Sequence, residues 1–452
     1  MTKVVVLGAG LAGLTTASLL ERDGHDVTVV ERDPDGPPSR PCDAWIRWRR
    51  PGVGQFQSPH LMLPRWWALL RQELPDLAAE LKASGARHLN LVEALPSAWR
   101  GGMRPEDDRF DTVTARRPVI EAVLAGRVNV RRGTKVAGLV TSGTRVSGIA
   151  VAGGSIPADL VVDCSGRHSP LSAWLAKAGL PPVDFDRADH GFVYYGRHFR
   201  GPRLPEALGY YRQDYDSFTV LTLPADNDTW SVAIVASSQD REARRLRRPE
   251  SWQAAIAQFP LAAHWAEAES ISDIDVMAGT HNRRRLGPTD GGHLTQGVVS
   301  VGDSWASTNP SLGRGASMAF LHALHLRDVL RATETPDEIS RHFDELTTQH
   351  MTPLYDSVIG ADQVRLDEVD ADIAGRPFET PDPGWARGRA FLAASLRDPD
   401  IARAYLAVSS FIATTRQALA TPRVRESIAT TPPTRYPLPG PTRAQIFDKV
   451  AP

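Results

Sequence analysis

Short apolar runs separated by longer helical patterns run through this chain, and this alternation is typical of an α/β protein. The segment Leu11–Asp23 predicts a helix that Gly24 ends. The apolar runs predict buried strands of one parallel sheet, at Val4–Leu7, Val27–Val30, Asp159–Asp163 and Val298–Val301. We therefore expect a Rossmann-like sheet built from segments that lie far apart in the chain.

Other parts of the pattern predict antiparallel strands. Short segments separated by turn signals predict a β-meander at Lys135–Thr141, Arg145–Ala152 and Ser155–Pro157. From about Leu180 the segments alternate or run apolar, which predicts an antiparallel sheet with Asp226–Asp228 as a hairpin turn. Its strands are expected at Phe192–Tyr195, Leu208–Arg212, Phe218–Leu223 and Trp230–Val235.

Helical patterns fill most of the remaining chain before a Pro-rich tail. They are expected at Leu63–Ala83, where Pro75 should kink or divide the helix, at Arg117–Leu124, Pro249–Gln258 and Leu261–Ala268, and from Met318 to about Ala420. This order predicts a Rossmann-like domain in two parts (residues 1–179 and 297–345), an inserted antiparallel-sheet substrate domain (180–296) and a C-terminal helical region (346–452).

The first predicted strand leads into a glycine-rich turn that suits a phosphate group. Gly8 permits the tight turn, Gly10 lets the backbone approach a pyrophosphate, and Gly13 lets the next helix pack closely on the strand. Leu11 and Ala12 open that helix, whose N-terminal N–H groups and positive dipole end attract phosphate. The turn therefore predicts a dinucleotide-binding site.

The second predicted strand ends in an acidic residue that fits the same site. Glu31 follows Val27–Val30 and stands where a carboxylate binds both hydroxyls of a ribose, and Arg32 comes next. Because a carboxylate would repel a 2′-phosphate, NADP is disfavoured at this position. The expected ligand carries an unmodified adenosine ribose.

A second glycine-rich segment follows the last predicted strand. Gly302 ends that strand, and the carboxylate of Asp303 can accept hydrogen bonds from ribityl hydroxyls. Such a role needs an acceptor at the carboxyl end of a strand, which is the edge where ligands of open α/β sheets bind.

The loop after Asp303 completes this second motif. Pro310 fixes the loop, and Gly313 and Gly315 allow a ligand to approach the backbone. A helix begins near Ala316, and its N-terminal amides can face the N1/C2=O edge of a flavin, where negative charge develops on reduction. The two motifs in this order predict FAD as the cofactor.

The order of the motifs resembles the FAD-dependent monooxygenases of the para-hydroxybenzoate hydroxylase fold. Several segments resemble the polyene epoxidases of polyether pathways, namely Arg50–Gln55 with His60-Leu61, Ala158–Pro170, Val193–Arg200 and Asn282–Arg284. The resemblance covers about Met1 to Leu330. It implies that reduced FAD and molecular oxygen form a C4a-hydroperoxyflavin. This species would insert one oxygen atom, by epoxidation or hydroxylation, into an apolar or aromatic secondary metabolite.

The same resemblance implies roles for individual residues. Arg117 corresponds to an arginine that lines the FAD cleft, and Val136 is expected to contact the adenine through its backbone. Trp305, Asn309 and Pro310 are the candidates for residues next to the isoalloxazine ring. No acid–base residue stands out in the chain, and no metal site is expected.

Several side chains keep two interpretations open. Arg40, Arg49 and Arg50 could lie near the pyrophosphate or on the surface, and Gln55 and His60 could line the flavin. Aromatic and basic residues of the insert could form either the core of the sheet or the wall of a substrate pocket, and these are Tyr194, Arg197, Tyr211, Phe218 and Trp230.

The chain departs from the family at its middle motif, which bears on the source of electrons. Cys164-Ser165-Gly166 stands where the hydroxylases often carry the Asp-Gly that is linked to NADPH use, and Leu171 replaces an arginine. Electrons could come from NAD(P)H directly or through a partner flavin reductase. The segment Trp45–Pro51 does not match the Trp-x-Trp-x-Ile-Pro motif of flavin halogenases. The rival functions are an alkene reductase resembling geranylgeranyl reductases and a catalytically silent FAD-binding protein.

Composition excludes other classes of partner. The net charge of −1 gives no electrostatic case for binding nucleic acid or an anionic membrane. Cys42 and Cys164 form neither a disulfide framework nor a metal cluster, and they suit a reducing cytoplasm. No apolar stretch is long enough to span a bilayer. We therefore expect a cytoplasmic enzyme with a small-molecule substrate.

Overall fold

The computed structural model describes residues 1–286, 294–333 and 335–450. Its strands are β1 (Lys3–Leu7), β2 (Asp26–Val30), β3 (Arg87–Asn90), β4 (Asp111–Thr114), β5 (Val130–Arg131), β6 (Val136–Ser142), β7 (Arg145–Val151), β8 (Gly154–Pro157), β9 (Leu160–Asp163), β10 (Phe185–Arg187), β11 (Phe192–Arg200), β12 (Arg212–Asp214), β13 (Phe218–Pro224), β14 (Thr229–Ser237), β15 (Glu269–Ser270), β16 (Asp275–Met277), β17 (Arg283–Arg285), β18 (Val298–Ser300) and β19 (Ala306–Ser307).

The α-helices are α1 (Leu11–Arg22), α2 (Ala44–Arg47), α3 (Pro64–Glu73), α4 (Pro75–Ala83), α5 (Ser97–Arg100), α6 (Arg117–Ala125), α7 (Leu171–Lys177), α8 (Pro249–Ile256), α9 (Gly315–Ala332), α10 (Pro336–Leu346), α11 (Thr352–Ile373), α12 (Pro383–Ser395), α13 (Pro399–Ser409), α14 (Thr415–Ala420), α15 (Pro422–Thr430) and α16 (Arg443–Lys449). Short 3₁₀ segments occur at Pro41–Asp43, Pro105–Phe110, Glu242–Arg247, Ala263–Ala266, Gly302–Ser304 and Pro310–Leu312, and a π-helical turn at Thr347–Met351.

The predicted parallel sheet is present, in the strand order β18-β9-β1-β2-β5. All four apolar runs join it, and β1 is paired along its length with β2 and from Val4 onward with β9. The strands need continuous apolar sequence because helices α1 and α9 cover one face and the meander β6-β7-β8 covers the other. Parallel pairing brings the carboxyl ends of β1, β2, β9 and β18 to one edge, where the glycine turn, Glu31, Cys164 and Asp303 follow.

The antiparallel sheet of the insert has the order β12-β13-β14-β11-β15, and β16 also pairs with β11. Side chains of β11 alternate between its two faces. Tyr195 and Phe199 pack with α8 and α16, whereas Phe192 and Tyr194 face Leu366 of α11. One face of this sheet therefore carries helices from the insert and the extreme C-terminus, and the other meets α11.

Some predicted elements differ from the structure. Pro75 divides Leu63–Ala83 into α3 and α4, as expected. The strand predicted at Leu208–Arg212 is wrong, since only Arg212 lies in β12; the Tyr210 carbonyl accepts a hydrogen bond from the Gln213 side chain instead of from a neighbouring strand.

Two further differences lie near the edges of the insert. The helix predicted at Leu261–Ala268 is only the 3₁₀ segment Ala263–Ala266, and the carbonyl of Trp265 accepts a hydrogen bond from the indole of Trp230. The Pro-rich tail contains α16, whose Ile446 is buried against the insert. Among the residues that the structure describes, no helix is both long and apolar enough to cross a membrane.

Candidate functional site

A cavity of about 1560 Å³ extends from the carboxyl edge of the parallel sheet to the inner face of the antiparallel sheet. Most of the residues predicted to bind FAD line it: Gly8, Gly10, Leu11, Ala12, Glu31, Arg32, Arg117, Val136, Asp303, Gly313, Gly315 and Ala316. Pro310, Gln55 and His60 line it too. The structure thus brings both glycine motifs, far apart in the sequence, to one cleft.

The glycines of the first motif are required by close contacts. Gly8 has φ +95°, a backbone conformation that favours glycine, and a Cβ there would lie 2.7 Å from the carbonyl oxygen of Cys164. A Cβ on Gly13 would lie 1.9 Å from the carbonyl oxygen of Gly8. A Cβ on Gly10 would instead meet nothing closer than Nη2 of Arg117, at 3.9 Å. Gly8 and Gly13 therefore shape the turn, and Gly10 leaves open space at the N-terminus of α1, where a pyrophosphate fits.

A buried network of charges forms the floor of this end of the cavity. Arg50 pairs with Glu31 and with Glu121, the latter at 2.5 Å, and Nη1 of Arg50 donates to the carbonyl of Ala9 at 2.6 Å. Arg117 donates to Glu121 from its Nε at 2.7 Å. Burial opposes ionisation of Glu121, but Arg117 and Arg50 outweigh it and hold the pKa of that carboxyl below its usual value. Of the three candidate arginines, only Arg50 lies in the cavity.

Glu31 has the position expected of it but more partners. Its Oε2 accepts hydrogen bonds from the Ala9 N–H (2.9 Å) and from Arg50, and its Oε1 accepts one from the Asp33 N–H (3.0 Å). A carboxylate offers about four lone-pair positions, so about one is left for a ribose. Glu31 can therefore bind both ribose hydroxyls only if Arg50 moves away. Otherwise a second group must accept a hydrogen bond from one of the hydroxyls.

Asp303 is the polar group of the second motif that faces the cavity. None of the described residues donates a hydrogen bond to its carboxylate, and burial raises the pKa of this carboxyl, which Arg167 and Arg117 partly counter. The carboxylate is half-buried in the cavity wall, where ribityl hydroxyls could donate hydrogen bonds to it. Gly302 behind it has φ +68°, and a Cβ there would lie 2.8 Å from that of Ala12. The residues present therefore fit FAD.

Two of the three candidates for flavin-proximal residues do not line this cavity. Trp305 borders a small separate void, and its ring packs against His322 with 5.0 Å between centroids. Asn309 is buried and caps the 3₁₀ turn Pro310–Leu312, because its side-chain oxygen accepts a hydrogen bond from the Ser311 N–H at 3.3 Å. The same oxygen also accepts one from the hydroxyl of Tyr194. Of the three candidates, Pro310 is the one that lines the cavity, together with the next residues of its turn, Ser311 and Leu312.

Asp362 contacts the same loop, and no motif in the sequence points to it. Its two carboxylate oxygens accept from the side-chain amides of Asn309 (2.9 Å) and Asn282 (3.1 Å), and it lines the cavity. Burial raises its pKa to about 6. His60, also in the wall, has its pKa lowered to about 4 by burial and by Arg117, so it is neutral at pH 7.

The far end of the cavity is aromatic, and the C-terminal helices supply much of it. Its aromatic wall residues are Tyr194, Tyr210, Tyr211, Trp385, Phe391 and Tyr405. Tyr194 and Tyr211 are therefore pocket wall, while Phe218 and Trp230 belong to the core on the other face of the sheet. The contribution of α12 and α13 was missed because nothing in a helical pattern tells which distant surface the helix covers.

Replacing Asp303 by alanine should weaken FAD binding by one to two orders of magnitude, because a charge-assisted hydrogen bond contributes about 1.5–3 kcal/mol. Fluorescence titration of the apoprotein with FAD measures the change. Asp43→Ala is a suitable control, since Asp43 does not line the cavity. An unchanged affinity in the Asp303 variant would remove this carboxylate from the FAD site.

Comparison with known proteins agrees with this geometry. The protein-family model of the FAD dependent oxidoreductases matches residues 3–40. Protein Rv3254 of Mycobacterium tuberculosis is 27% identical over 359 residues, which are 73% of each chain. A D-amino acid dehydrogenase of Rhizobium johnstonii is 63% identical over 32 residues, only 7% of this chain and 8% of that protein.

Solved structures share the fold over most of the chain. A flavoprotein/dehydrogenase from Cytophaga hutchinsonii has a TM-score of 0.63 at 17% identity, covering 95% of this chain and 98% of its own. PqsL of Pseudomonas aeruginosa, named as a probable FAD-dependent monooxygenase, has a TM-score of 0.61 at 18% identity. The match covers 83% of this chain and 98% of PqsL. The myxobacterial chondrochloren halogenase CndH has a TM-score of 0.59 at 16% identity. The match covers 97% of this chain and 99% of CndH. The matched segment, which contains the first glycine motif, is thus similar to FAD dependent oxidoreductases, and the chain shares its fold with these solved flavoproteins over most of its length.

Proposed function

We propose that this protein is a monooxygenase that inserts one atom of molecular oxygen into an apolar or aromatic small molecule. The observation that carries the proposal is the continuity of the cavity: the dinucleotide cradle and the aromatic chamber share one space. A substrate in the chamber would lie against the isoalloxazine end of a cofactor held by the cradle. The description of PqsL as a probable FAD-dependent monooxygenase supports oxygen-dependent chemistry on this fold.

The protein's own residues would bind and orient the reactants. Gly10 and Arg117 would hold the pyrophosphate, Asp303 the ribityl chain, and the N-terminal amides of α9 the pyrimidine edge of the flavin. When bound, FAD supplies the redox chemistry, taking up two electrons and reacting with dioxygen. The aromatic wall would exclude water from the reacting centre, which protects reactive species from hydrolysis.

Electron delivery is the second element of the proposal. We propose that NAD(P)H reduces the flavin either directly or through a separate flavin reductase. Cys164, Ser165 and Gly166 form the turn after β9 at the cavity wall, in place of the Asp-Gly motif. This difference favours the external reductase.

The rival functions make different demands on the cavity. A halogenase of this fold needs a catalytic lysine, and Lys135, which lines the cavity, adjoins Val136 at the expected adenine end rather than the aromatic end. An alkene reductase would need the same dinucleotide cradle and an apolar chamber. The reaction product, oxygenated or hydrogenated, therefore distinguishes it from a monooxygenase. A silent FAD-binding protein would bind the cofactor without turnover.

The decisive experiment is oxygen uptake by the FAD-loaded protein with NADPH or NADH, with and without a generic flavin reductase, over a panel of aromatic and polyene compounds. We expect substrate-dependent uptake and a product heavier by one oxygen atom, labelled when ¹⁸O₂ is supplied. Rapid bleaching of the flavin by NADPH or NADH alone, without oxygen, would refute the external reductase. A hydrogenated product, or no turnover with any reductant, would refute monooxygenation.

A further inference from the structure

The aromatic chamber contains buried charges, and most of them are paired. Asp214 pairs with Arg212 at 2.9 Å and with Arg389 at 3.5 Å. Arg365 pairs with Glu368 at 2.7 Å and also donates to the carbonyls of Tyr215 and Phe218. These partners are what buried charges require, because an isolated charge in a low-dielectric interior is costly.

Arg314 is the exception within the described part of the chamber. It lines the cavity but forms no ion pair with any described carboxylate, and its Nε is buried without a hydrogen-bond acceptor. Its one hydrogen bond is a long one, 3.4 Å from Nη2 to the carbonyl of Val408. Burial lowers the pKa of this guanidinium, Asp362 raises it and Arg212 lowers it. The nearby Asp362 is already held by two side-chain amides.

The residue Phe411, just after the end of α13, packs against the Arg314 side chain. The guanidinium carbon lies over the ring of Phe411, 5.4 Å from its centroid. Phe411 has φ +64°, at the position after a helix where glycine is usual. A bulky residue in this conformation costs of order 1–3 kcal/mol, so the fold keeps the ring here at a cost to the backbone. The site is therefore built to hold a cation in place.

A second guanidinium group borders the same space but is already paired. Arg212 lines the cavity, and while its terminal nitrogens bond Asp214, its Nε is buried without an acceptor. The terminal nitrogens of Arg212 are thus held by a carboxylate, whereas Nη1 of Arg314 bonds no described residue and is the donor left for a ligand in the chamber. A planar carboxylate accepts hydrogen bonds from such groups with high geometric specificity, whereas a neutral ligand would leave the donors unmatched.

We propose that Arg314 binds the carboxylate of the substrate, so that this enzyme acts on aromatic or polyene carboxylic acids. The inference rests on the proposed function only in calling the ligand a substrate. The aromatic wall binds the apolar part of the substrate. Arg314 holds the carboxylate of the substrate near the loop after Asp303, of which Arg314 is part. This orientation selects which carbon meets the reacting centre.

The test uses oxidised, FAD-loaded protein without reductant, and the probes are 2-naphthoate and its neutral isostere 2-naphthamide. Perturbation of the flavin absorption reports binding. We expect 2-naphthoate to bind about 10-fold or more tightly than 2-naphthamide, as one charge-assisted interaction allows. Arg314→Met should abolish this preference, and Arg314→Lys should keep part of it. Arg387→Met is the matched control, because Arg387 lines the same cavity at its exposed mouth, and it should keep the preference.

Each outcome bears on the proposal separately from the oxygenase test. Equal affinities for the two probes, no binding of either, or an unchanged preference in Arg314→Met would overturn the carboxylate site. A changed reduction potential of FAD in Arg314→Met with the preference intact would assign Arg314 to the flavin instead and also overturn it. Because binding is measured without turnover, a carboxylate preference without oxygenation would leave this site standing and refute the monooxygenase.

Discussion

Replacing Gly10 by valine should abolish FAD binding while leaving the apoprotein folded. The nearest atom to a Cβ at this position is Nη2 of Arg117, at 3.9 Å, so the side chain has room in the free protein. The valine methyl groups would then fill the space at the N-terminus of α1 that the pyrophosphate requires. We expect the affinity for FAD to fall by at least about 100-fold, or about 2.7 kcal/mol, in a fluorescence titration.

The matched comparison is Gly13→Ala, in the same turn. Its new methyl group would lie 1.9 Å from the carbonyl oxygen of Gly8, so β1 and α1 would have to separate, and both are in the main core. This variant should lose stability, whether or not FAD is added, in a thermal melt followed by circular dichroism. Near-normal FAD binding by Gly10→Val, or equal unfolding of both variants, would contradict the distinction between the two glycines.

The parallel sheet and the cradle could be predicted from the sequence because their signals are local. A strand buried on both faces needs a continuous apolar run, and a tight turn with φ +95° at Gly8 needs glycine, whatever the rest of the chain does. The same holds for Pro75, which cannot occupy a helix interior. Each of these features depends on a few consecutive residues.

The substrate end could not be predicted, because it depends on contacts between distant segments. The approach of α12 and α13 to the insert is set by packing and by pairs such as Arg389 with Asp214, which carry no signature in the sequence. Even for residues close together in the sequence, such as the flavin-proximal candidates, the sequence does not tell which side chain faces the cavity. Trp305, Asn309 and Pro310 are close in sequence, yet of these three only Pro310, the first residue of a 3₁₀ turn, lines the cavity.

Arg116 illustrates such a distant contact and leads to the second large expected effect. The sequence predicted a hairpin turn at Asp226–Asp228, and the structure adds that Asp226 is fully buried against Arg116. Nε and Nη2 of Arg116 donate to the two carboxylate oxygens at 3.0 and 2.7 Å, and the Arg116 N–H donates at 2.7 Å. Burial opposes ionisation of Asp226, but these bonds to Arg116 lower its pKa below the usual value.

Arg116→Met should destabilise the protein by about 3–5 kcal/mol, because it leaves the Asp226 carboxylate buried without its cation. The free energy of unfolding at pH 7, from denaturant titration of the apoprotein, measures the loss. The control is Arg22→Met, whose partner Asp76 and own side chain are 50% and 49% exposed. That surface pair should contribute at most about 1 kcal/mol.

The pH dependence separates a lost ion pair from lost packing. In the wild type the lowered pKa of Asp226 contributes stability that is present above the unfolded value of about 3.9 and is lost as the pH falls through the lowered folded pKa. In Arg116→Met the buried carboxyl should instead have a raised pKa, so protonation relieves the penalty as the pH falls from 7 towards 4. The stability difference between the two proteins should therefore shrink over that range. A difference that stays constant from pH 7 to pH 4 would mean that Arg116 acts through the packing of its side chain, such as its contact 5.0 Å above the ring of Trp45, and not through its charge.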